Sequence, residues 1–278
     1  MDKGIVINYS RREPYFFMKD SHQHNFYEIY YLLNGQRRFF VEDSIYYVNK
    51  GDLVLINKGI LHKTSYASDK SHEKFGFYIS YDYMEHLFTL FGKENVLLCF
   101  KQPHKTLSSN QQDYVESLLW KMRNEYTGHE EYANELIKSY ANEFLVFLLR
   151  FHKQLHPNKD NELKTSDIAC ERAAKYIFKN YSKSLTLKDV AAYVNLSPTY
   201  FSKKFMLDTG FGFNEYLSNV RMQHACELLI HTKKAITEIA FLCGYNDSNY
   251  FGDVFKKTKG ISPSNYRIEH RQSNSLPV

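Results

Sequence analysis

One pattern is written twice between Leu187 and Arg267, and it leaves few folds open. The first copy, LKDVAAYVNLSPTYFSKKF, runs from Leu187 to Phe205 and continues to Gly210 and Tyr216. The second, ITEIAFLCGYNDSNYFGDVF, runs from Ile236 to Phe255 and continues to Gly260 and Tyr266. Leu187, Val190 and Ala191 answer to Ile236, Ile239 and Ala240. After one extra turn residue, Phe201, Phe205, Gly210 and Tyr216 answer to Phe251, Phe255, Gly260 and Tyr266. A unit this short cannot bury its own core, so the copies are expected to pack on shared helices.

Each copy reads as a short helix, a tight turn and a second helix. Thr186 can cap the first helix, with Asp189 completing a capping box. Asn195 sits at the turn, Ser197 is a good N-cap, and Pro198 falls where its missing N–H costs nothing. The second copy turns at Gly244 and caps with Asn246 or Asp247. This is helix-turn-helix geometry, whose second helix enters a major groove, so double-stranded DNA is the expected partner. Phe201 and Phe205 set the buried side of the first recognition helix, which places Thr199 and Lys203 opposite. Tyr200 flanks that face, and Lys204 is better placed for the phosphate wall. By the same spacing Asn249 and Asp253 point to the groove from the second helix, with Lys256 and Lys257 toward its end.

Residues from about 168 to 270 resemble the DNA-binding domain of the AraC/XylS family of bacterial transcription regulators. The matching pieces are RMQHACELL from Arg221, ITEIA from Ile236, CGYND from Cys243, Tyr250-Phe251, FKK from Phe255 and GISPSNYR from Gly260. The resemblance implies a linker helix at about 215 to 230, transcriptional activation and contact with RNA polymerase. One departure is Gly252-Asp253, where the family has a small polar residue followed by a basic one; it bears on how strongly the second unit grips DNA.

Charge follows the repeat. Residues 1 to 165 hold 21 Lys/Arg and 21 Asp/Glu, whereas residues 166 to 278 hold 15 and 10, so the excess of +5 lies wholly in the repeat half. That fits a polyanion-binding domain joined to a neutral one. No apolar stretch approaches membrane-spanning length and the N-terminus lacks a signal-peptide core, which predicts a cytoplasmic protein without a membrane partner. The four cysteines have neither disulfide-framework density nor metal-site spacing, and Cys226 and Cys243 fall on apolar positions, as buried structural thiols would.

The front half, to about Phe100, reads as short strands. YEIYYLL from Tyr27, RFFV from Arg38, SIYYV from Ser44, DLVLI from Asp52 and FGFYI from Phe75 are separated by turn formers such as Asn34-Gly35 and two NKG triplets. Evenly spaced strands without helices between them predict a small antiparallel barrel or jelly roll. This stretch resembles the cupin-type sensory domain of many members of the same regulator family, through the HxHxxxE run from His22 to Glu28 and GDLVLINKGILH from Gly51 to His62. In metal-dependent cupins the positions of His22, His24, Glu28 and His62 are the ligands. Regulators of the family often carry the same letters without metal, and no cofactor is expected. The expected occupant is a small-molecule effector, by family analogy a sugar, lined by Phe16, His24, Glu28, Tyr30, Arg38 and His62.

Two helical stretches follow, at about 108 to 126 and 130 to 153. The apolar face of the second is long enough to suggest a homodimer interface. The polar, Pro-containing run from His156 to Lys164 is the best linker in the chain. The expected fold is a multidomain α+β chain: a cupin-like β-barrel with a helical extension, then an all-α domain with two helix-turn-helix units. The divisions are a sensing domain (1–105), a helical dimerisation region (106–155), a linker (156–166), a DNA-binding domain (167–270) and a tail (271–278). The function that follows is a ligand-responsive, sequence-specific DNA-binding regulator, an activator of carbohydrate uptake or metabolism genes. The competing reading is a cupin-type metalloenzyme with an appended helical nucleic-acid-binding domain.

Overall fold

The computed structural model describes residues 4–14, 26–154 and 168–272. The chain divides into two compact units, Met1–Thr165 with Asp208–Gly210, and Ser166–Leu207 with Phe211–Val278. The expected linker, Phe16, His22 and His24, and the expected tail beyond Gln272 lie outside the described residues; Arg271 and Gln272 end the last helix.

In the N-terminal unit the strands are β1 (Ile5–Arg12), β2 (Tyr27–Asn34), β3 (Gln36–Val41), β4 (Ser44–Asn49), β5 (Asp52–Ile56), β6 (His62–Tyr66), β7 (His72–Ile79) and β8 (His104–Thr106). They form two sheets, a five-stranded one ordered β1-β7-β2-β5-β8 and a three-stranded one ordered β4-β3-β6. All pairings are antiparallel. The turns use the residues their backbones demand: Gly35, Gly51 and Gly59 have positive φ.

The expected closed barrel is therefore corrected to two open sheets. A barrel needs one continuous ladder around its circumference. Here no ladder joins the sheets among the described residues, and each ends in edge strands. The sequence missed what covers the larger sheet. Helices α1 (Tyr81–Phe91) and α2 (Lys93–Phe100) stand where only strands were expected, followed by α3 (Ser109–Gly128) and α4 (Ala133–Gln154). These helices bury the outer face of the large sheet: Tyr27, Ile29, Tyr31, Leu53, Leu55, Phe75 and Phe77 pack with Met84, Val115, Leu119, Phe144 and Leu148 in one core. A sheet buried on both sides reads as an unbroken apolar run, which is why YEIYYLL and DLVLI show so little alternation. The apolar face of α4 is thus covered by its own chain, through Ile137, Ala141, Phe144, Leu145, Leu148 and Phe151.

The other face of the large sheet meets the small one. Tyr30, Leu32, Val54 and Ile56 pack there against Phe39, Val41 and Val48.

The C-terminal unit is all helix: α5 (Ile168–Asn180), α6 (Leu187–Tyr193), α7 (Pro198–Thr209), α8 (Phe213–His231), α9 (Ile236–Leu242), α10 (Ser248–Lys259) and α11 (Pro263–Gln272). The long α8 is the linker helix and serves both repeats. Its Tyr216 meets Phe205 at 5.7 Å between ring centroids, while Met222, Ala225, Cys226 and Leu229 join the core of Ile239, Ala240, Cys243, Phe251 and Phe255. All four cysteines are free and buried. Among the described residues no helix is long and apolar enough to cross a membrane.

Candidate nucleic-acid interface and effector site

The two repeats fold to the same local geometry. Thr186 and Asp189 form the capping box that starts α6, with Thr186 N donating to Asp189 Oδ2 at 2.9 Å. These bonds hold the exposed Asp189 carboxyl below its ordinary pKa. At the end of α6, Leu196 N donates to Ala191 O at 2.9 Å and Asn195 N to Ala192 O at 3.0 Å. Tyr245 N to Ala240 O and Gly244 N to Phe241 O repeat this after α9, both at 3.0 Å. Asn195 and Gly244, the matching turn residues, have φ of 58° and 80°. Gly244 is further confined: a Cβ there would stand 2.8 Å from Tyr181 O and 2.9 Å from Ser182 O.

The recognition helices are held by equivalent aromatic stacks. Phe201 and Phe205 are buried with ring centroids 5.2 Å apart; Phe251 and Phe255 are buried at 5.7 Å, and Phe255 meets Tyr266 at 5.3 Å. Ser197 Oγ accepts from Tyr200 N at 3.3 Å at the start of α7. At α10 the cap is Asp247, which accepts from Asn249 N at 2.7 Å and Tyr250 N at 3.2 Å. Arg221 ties the repeats to the frame: its Nε donates to Tyr181 O at 2.8 Å, and its guanidinium lies 5.3 Å from the Tyr245 ring centroid. Burial pushes the Arg221 pKa down, and paired carbonyls with a ring face are what a partly desolvated guanidinium needs.

With those faces committed to the core, the residues expected on the DNA side stand clear of it. Thr199, Tyr200, Lys203, Asn249, Asp253, Lys256 and Lys257 are all exposed, and Lys204 is half-buried. Tyr200 and Tyr250, which occupy the same place in the two helices, are 56% and 62% exposed. Asp253 makes no hydrogen bond or ion pair among the described residues, so it is not neutralised by Lys256 or Lys257.

In the N-terminal unit, Glu28, Tyr30 and His62 come together between the two sheets. Glu28 and Tyr30 are two apart on β2 and share its inner face, and His62 Nε2 lies 3.4 Å from Glu28 Oε2. The other ring nitrogen of His62, Nδ1, is 2.9 Å from Ile60 O. Arg38 does not join them. Strand alternation turns it to the opposite face of β3, where its guanidinium sits 5.6 Å from the Tyr47 ring centroid. Its neighbour Arg37 points inward instead, is 1% exposed, and donates from Nη2 to Thr64 Oγ1 at 3.0 Å. Sequence reasoning also passed over β7, whose His72, Lys74 and Tyr78 face the same interior; alternation from Phe75 and Phe77 would have shown it. Burial, followed by the charges of Arg37, Lys74 and Arg12, pushes His72 down to about 4. Among the described residues no group of three or more His, Cys, Asp or Glu could hold a metal ion.

Two family models match the chain: "AraC-like ligand binding domain" over residues 4–145 and "Helix-turn-helix domain" over residues 190–269. The regulatory protein PocR of Salmonella typhimurium is 39% identical over 111 residues, covering 40% of this chain and only 37% of PocR. The transcriptional activator RhaR of an Enterobacter species is 24% identical over 263 residues, 91% of this chain and 88% of that protein. Among solved structures, the C-terminal domain of AraT, a response regulator from Geobacillus stearothermophilus, is 36% identical. It covers 41% of this chain and 92% of that one, with a TM-score of 0.37. The ligand-binding model alone spans half of the sequence and the helix-turn-helix model follows it in order, so the chain belongs to the AraC/XylS family of transcriptional regulators, with an N-terminal ligand-binding domain and a C-terminal helix-turn-helix domain.

Proposed function

We propose that this ligand-responsive regulator lays α7 and α10 into adjacent segments of major groove and activates genes of carbohydrate uptake or metabolism. The observation that carries the reading is the congruence of the two repeats. Two backbones with the same turns and the same buried phenylalanines each present one free face of hydrogen-bonding side chains. Lys203 donates to guanine O6/N7 with Thr199 beside it, Asn249 bonds adenine N6/N7, and Lys204, Lys256 and Lys257 meet phosphates. The similarity to RhaR, a named activator, supports activation, and contact with RNA polymerase is part of the same proposal. Membership in a family of regulators weighs against the metalloenzyme reading. With the apolar face of α4 buried in its own domain, a homodimer uses the outer sides of α3 and α4, where Tyr114 and Leu136 are exposed.

A small polyol effector sits between the two sheets, against Glu28, Tyr30 and His62, and biases DNA affinity through its different affinity for two states of the protein. Hydroxyl-radical footprinting tests the DNA half of the proposal. Each bound monomer is expected to protect two groove segments about one helical turn, ~34 Å, apart. Protection confined to one turn would mean that α10 is idle. For the effector half, Glu28→Ala is expected to keep DNA binding and lose or shift the response.

A further inference from the structure

The inner face of the β1-β7-β2 part of the large sheet carries polar groups that a neutral polyol does not explain. In register, Ser10 lies opposite Lys74, Asn8 opposite Gly76 and Arg12 opposite His72. On the other side of β7, Leu32 pairs with Lys74, Tyr30 with Gly76 and Glu28 with Tyr78. Cross-strand partners share a face, so Ser10, Lys74, Tyr78 and Tyr30 surround Gly76, which contributes no side chain. The Tyr78 hydroxyl fills part of that gap, 2.5 Å from where a Cβ on Gly76 would stand.

Two of these groups are buried donors with nothing to donate to among the described residues. Tyr30 is 3% exposed and its hydroxyl has no hydrogen-bond partner among them; Ser10 Oγ is likewise buried and unpartnered there. A buried hydroxyl left unsatisfied is costly, and native interiors rarely carry one. Between them stands a cation. Lys74 Nζ lies 5.0 Å from the Tyr30 ring centroid and reaches the Tyr78 hydroxyl only at 3.5 Å. Burial holds its pKa down, Glu28 raises it, and Arg12 and Arg37 lower it further. Lys74 is half-buried, and an ammonium partly withdrawn from water, with one long hydrogen bond to Tyr78 among the described residues, gains from an anion placed beside it.

We propose that the effector is a small hydroxylated metabolite bearing an oxyanion, either a carboxylate or a phosphate ester, and that Lys74 receives that group. The hydroxyls of Tyr30 and Ser10 donate to the same oxyanion, and Glu28 and His62, farther along β2 and β6, are left for the ligand's hydroxyls. The inference rests on the reading of the inter-sheet space as the effector site and narrows the ligand's chemistry within it.

The test uses the full chain and a bacterial polar-metabolite extract separated on an anion exchanger into neutral and acidic fractions. The readout is the thermal midpoint. The acidic fraction is expected to raise it by about 5 °C at saturation and the neutral fraction to leave it unchanged. Lys74→Gln should abolish the rise, and Tyr30→Phe should weaken it at least several-fold in the amount of fraction required. Tyr30→Phe keeps the ring and removes only the hydroxyl, so it still reports if Lys74→Gln fails to fold. Alkaline phosphatase treatment separates the two oxyanions: loss of the effect identifies a phosphate ester, persistence a carboxylate. A rise with the neutral fraction alone overturns the oxyanion and leaves the effector site standing. A rise with the acidic fraction that both variants retain overturns the assignment to Lys74. No rise with either fraction overturns the effector reading and this inference with it.

Discussion

Where α7 carries Lys203, α10 carries Asp253; where α7 has Met206 and Leu207, α10 has Lys256 and Lys257. The two recognition helices hang on near-identical frames yet carry different charges on their exposed sides, basic then apolar in one and acidic then basic in the other. Their matching buried residues, Val190 and Ile239, Ala191 and Ala240, Phe201 and Phe251, Phe205 and Phe255, are all fully buried. Such a repeat is free to diverge wherever side chains leave the core. The comparison teaches that equal scaffolds carry unequal surfaces, and on the function proposed above that means unequal grips on DNA.

The scaffolds' equality is the easiest claim to break. Phe205→Ala and Phe255→Ala each empty a fully buried aromatic site and are expected to cost about 3–5 kcal/mol. Urea denaturation of both variants, with hydrogen exchange of the α7 and α10 amides, measures whether the losses match. A cost below about 1 kcal/mol for Phe255→Ala would make the second repeat a loosely packed appendage.

The turns sharpen the same comparison at smaller amplitude. Gly244→Ala adds a left-handed penalty of ~1–2 kcal/mol to a close approach on two carbonyls, for a total of about 2–3 kcal/mol. Asn195→Gly at the matching place is expected to be close to neutral, because the backbone angle is the shared requirement and the close approach belongs to Gly244. Equal effects of the two substitutions on the denaturation midpoint would refute that distinction.

The grips are tested by Lys203→Ala and Lys204→Ala. The first is expected to relax base preference at one or two positions of the first half-site, at about 1–3 kcal/mol. The second should weaken all sequences alike and reduce the salt slope by about 1. Equal losses on specific and random DNA for both variants would remove the division between base-reading and phosphate-holding side chains on α7.

The C-terminal unit was legible in the sequence and the N-terminal one only in part, and the contrast has a physical cause. Repeats report on themselves: the spacing of Phe201 and Phe205 says which way Lys203 points, because a helix period is local. Caps are local too, and of the two candidates in the second copy the structure selects Asp247. Sheet closure is not local. Whether β4 or β6 completes a ladder to the larger sheet depends on contacts far along the chain and on the helices layered outside it. Helices α1 and α2 were missed because Tyr81–Phe91 carries two phenylalanines and two tyrosines, a composition that also suits strands. The choice of Arg38 over Arg37 shows the cost of loose strand parity. One residue of register moves a side chain from the interior to the far face, and Phe39 and Val41 in the inner core put Arg37 on their side. Lys74 was hidden for a related reason, since a lysine in a strand is ordinarily read as solvent-facing.

The smallest expected effect bears most directly on the unequal grips. Asp253 is exposed on α10, in register with Lys203 on α7, and no cation among the described residues neutralises it. A carboxylate facing the groove can accept from cytosine N4, yet it repels the phosphates on either side, so it contributes selectivity at the expense of affinity. Lys256 and Lys257 lie one turn farther along, in the last turn of α10, where they complement the negative end of the helix dipole and, on the proposed function, meet the phosphates. On this account α7 supplies most of the affinity and α10 refines the choice of site. Asp253→Arg removes a repulsion and adds a phosphate contact. It is expected to tighten binding to any DNA by about 1 kcal/mol and to steepen the dependence of log K on log salt by about 1. It should also erode discrimination at the second half-site while leaving the first untouched. Competition binding against single-base variants of both half-sites, at two salt concentrations, reads all three quantities. Unchanged affinity and unchanged discrimination would place Asp253 away from the DNA, and the difference between the two helices would then lie in their lysines alone.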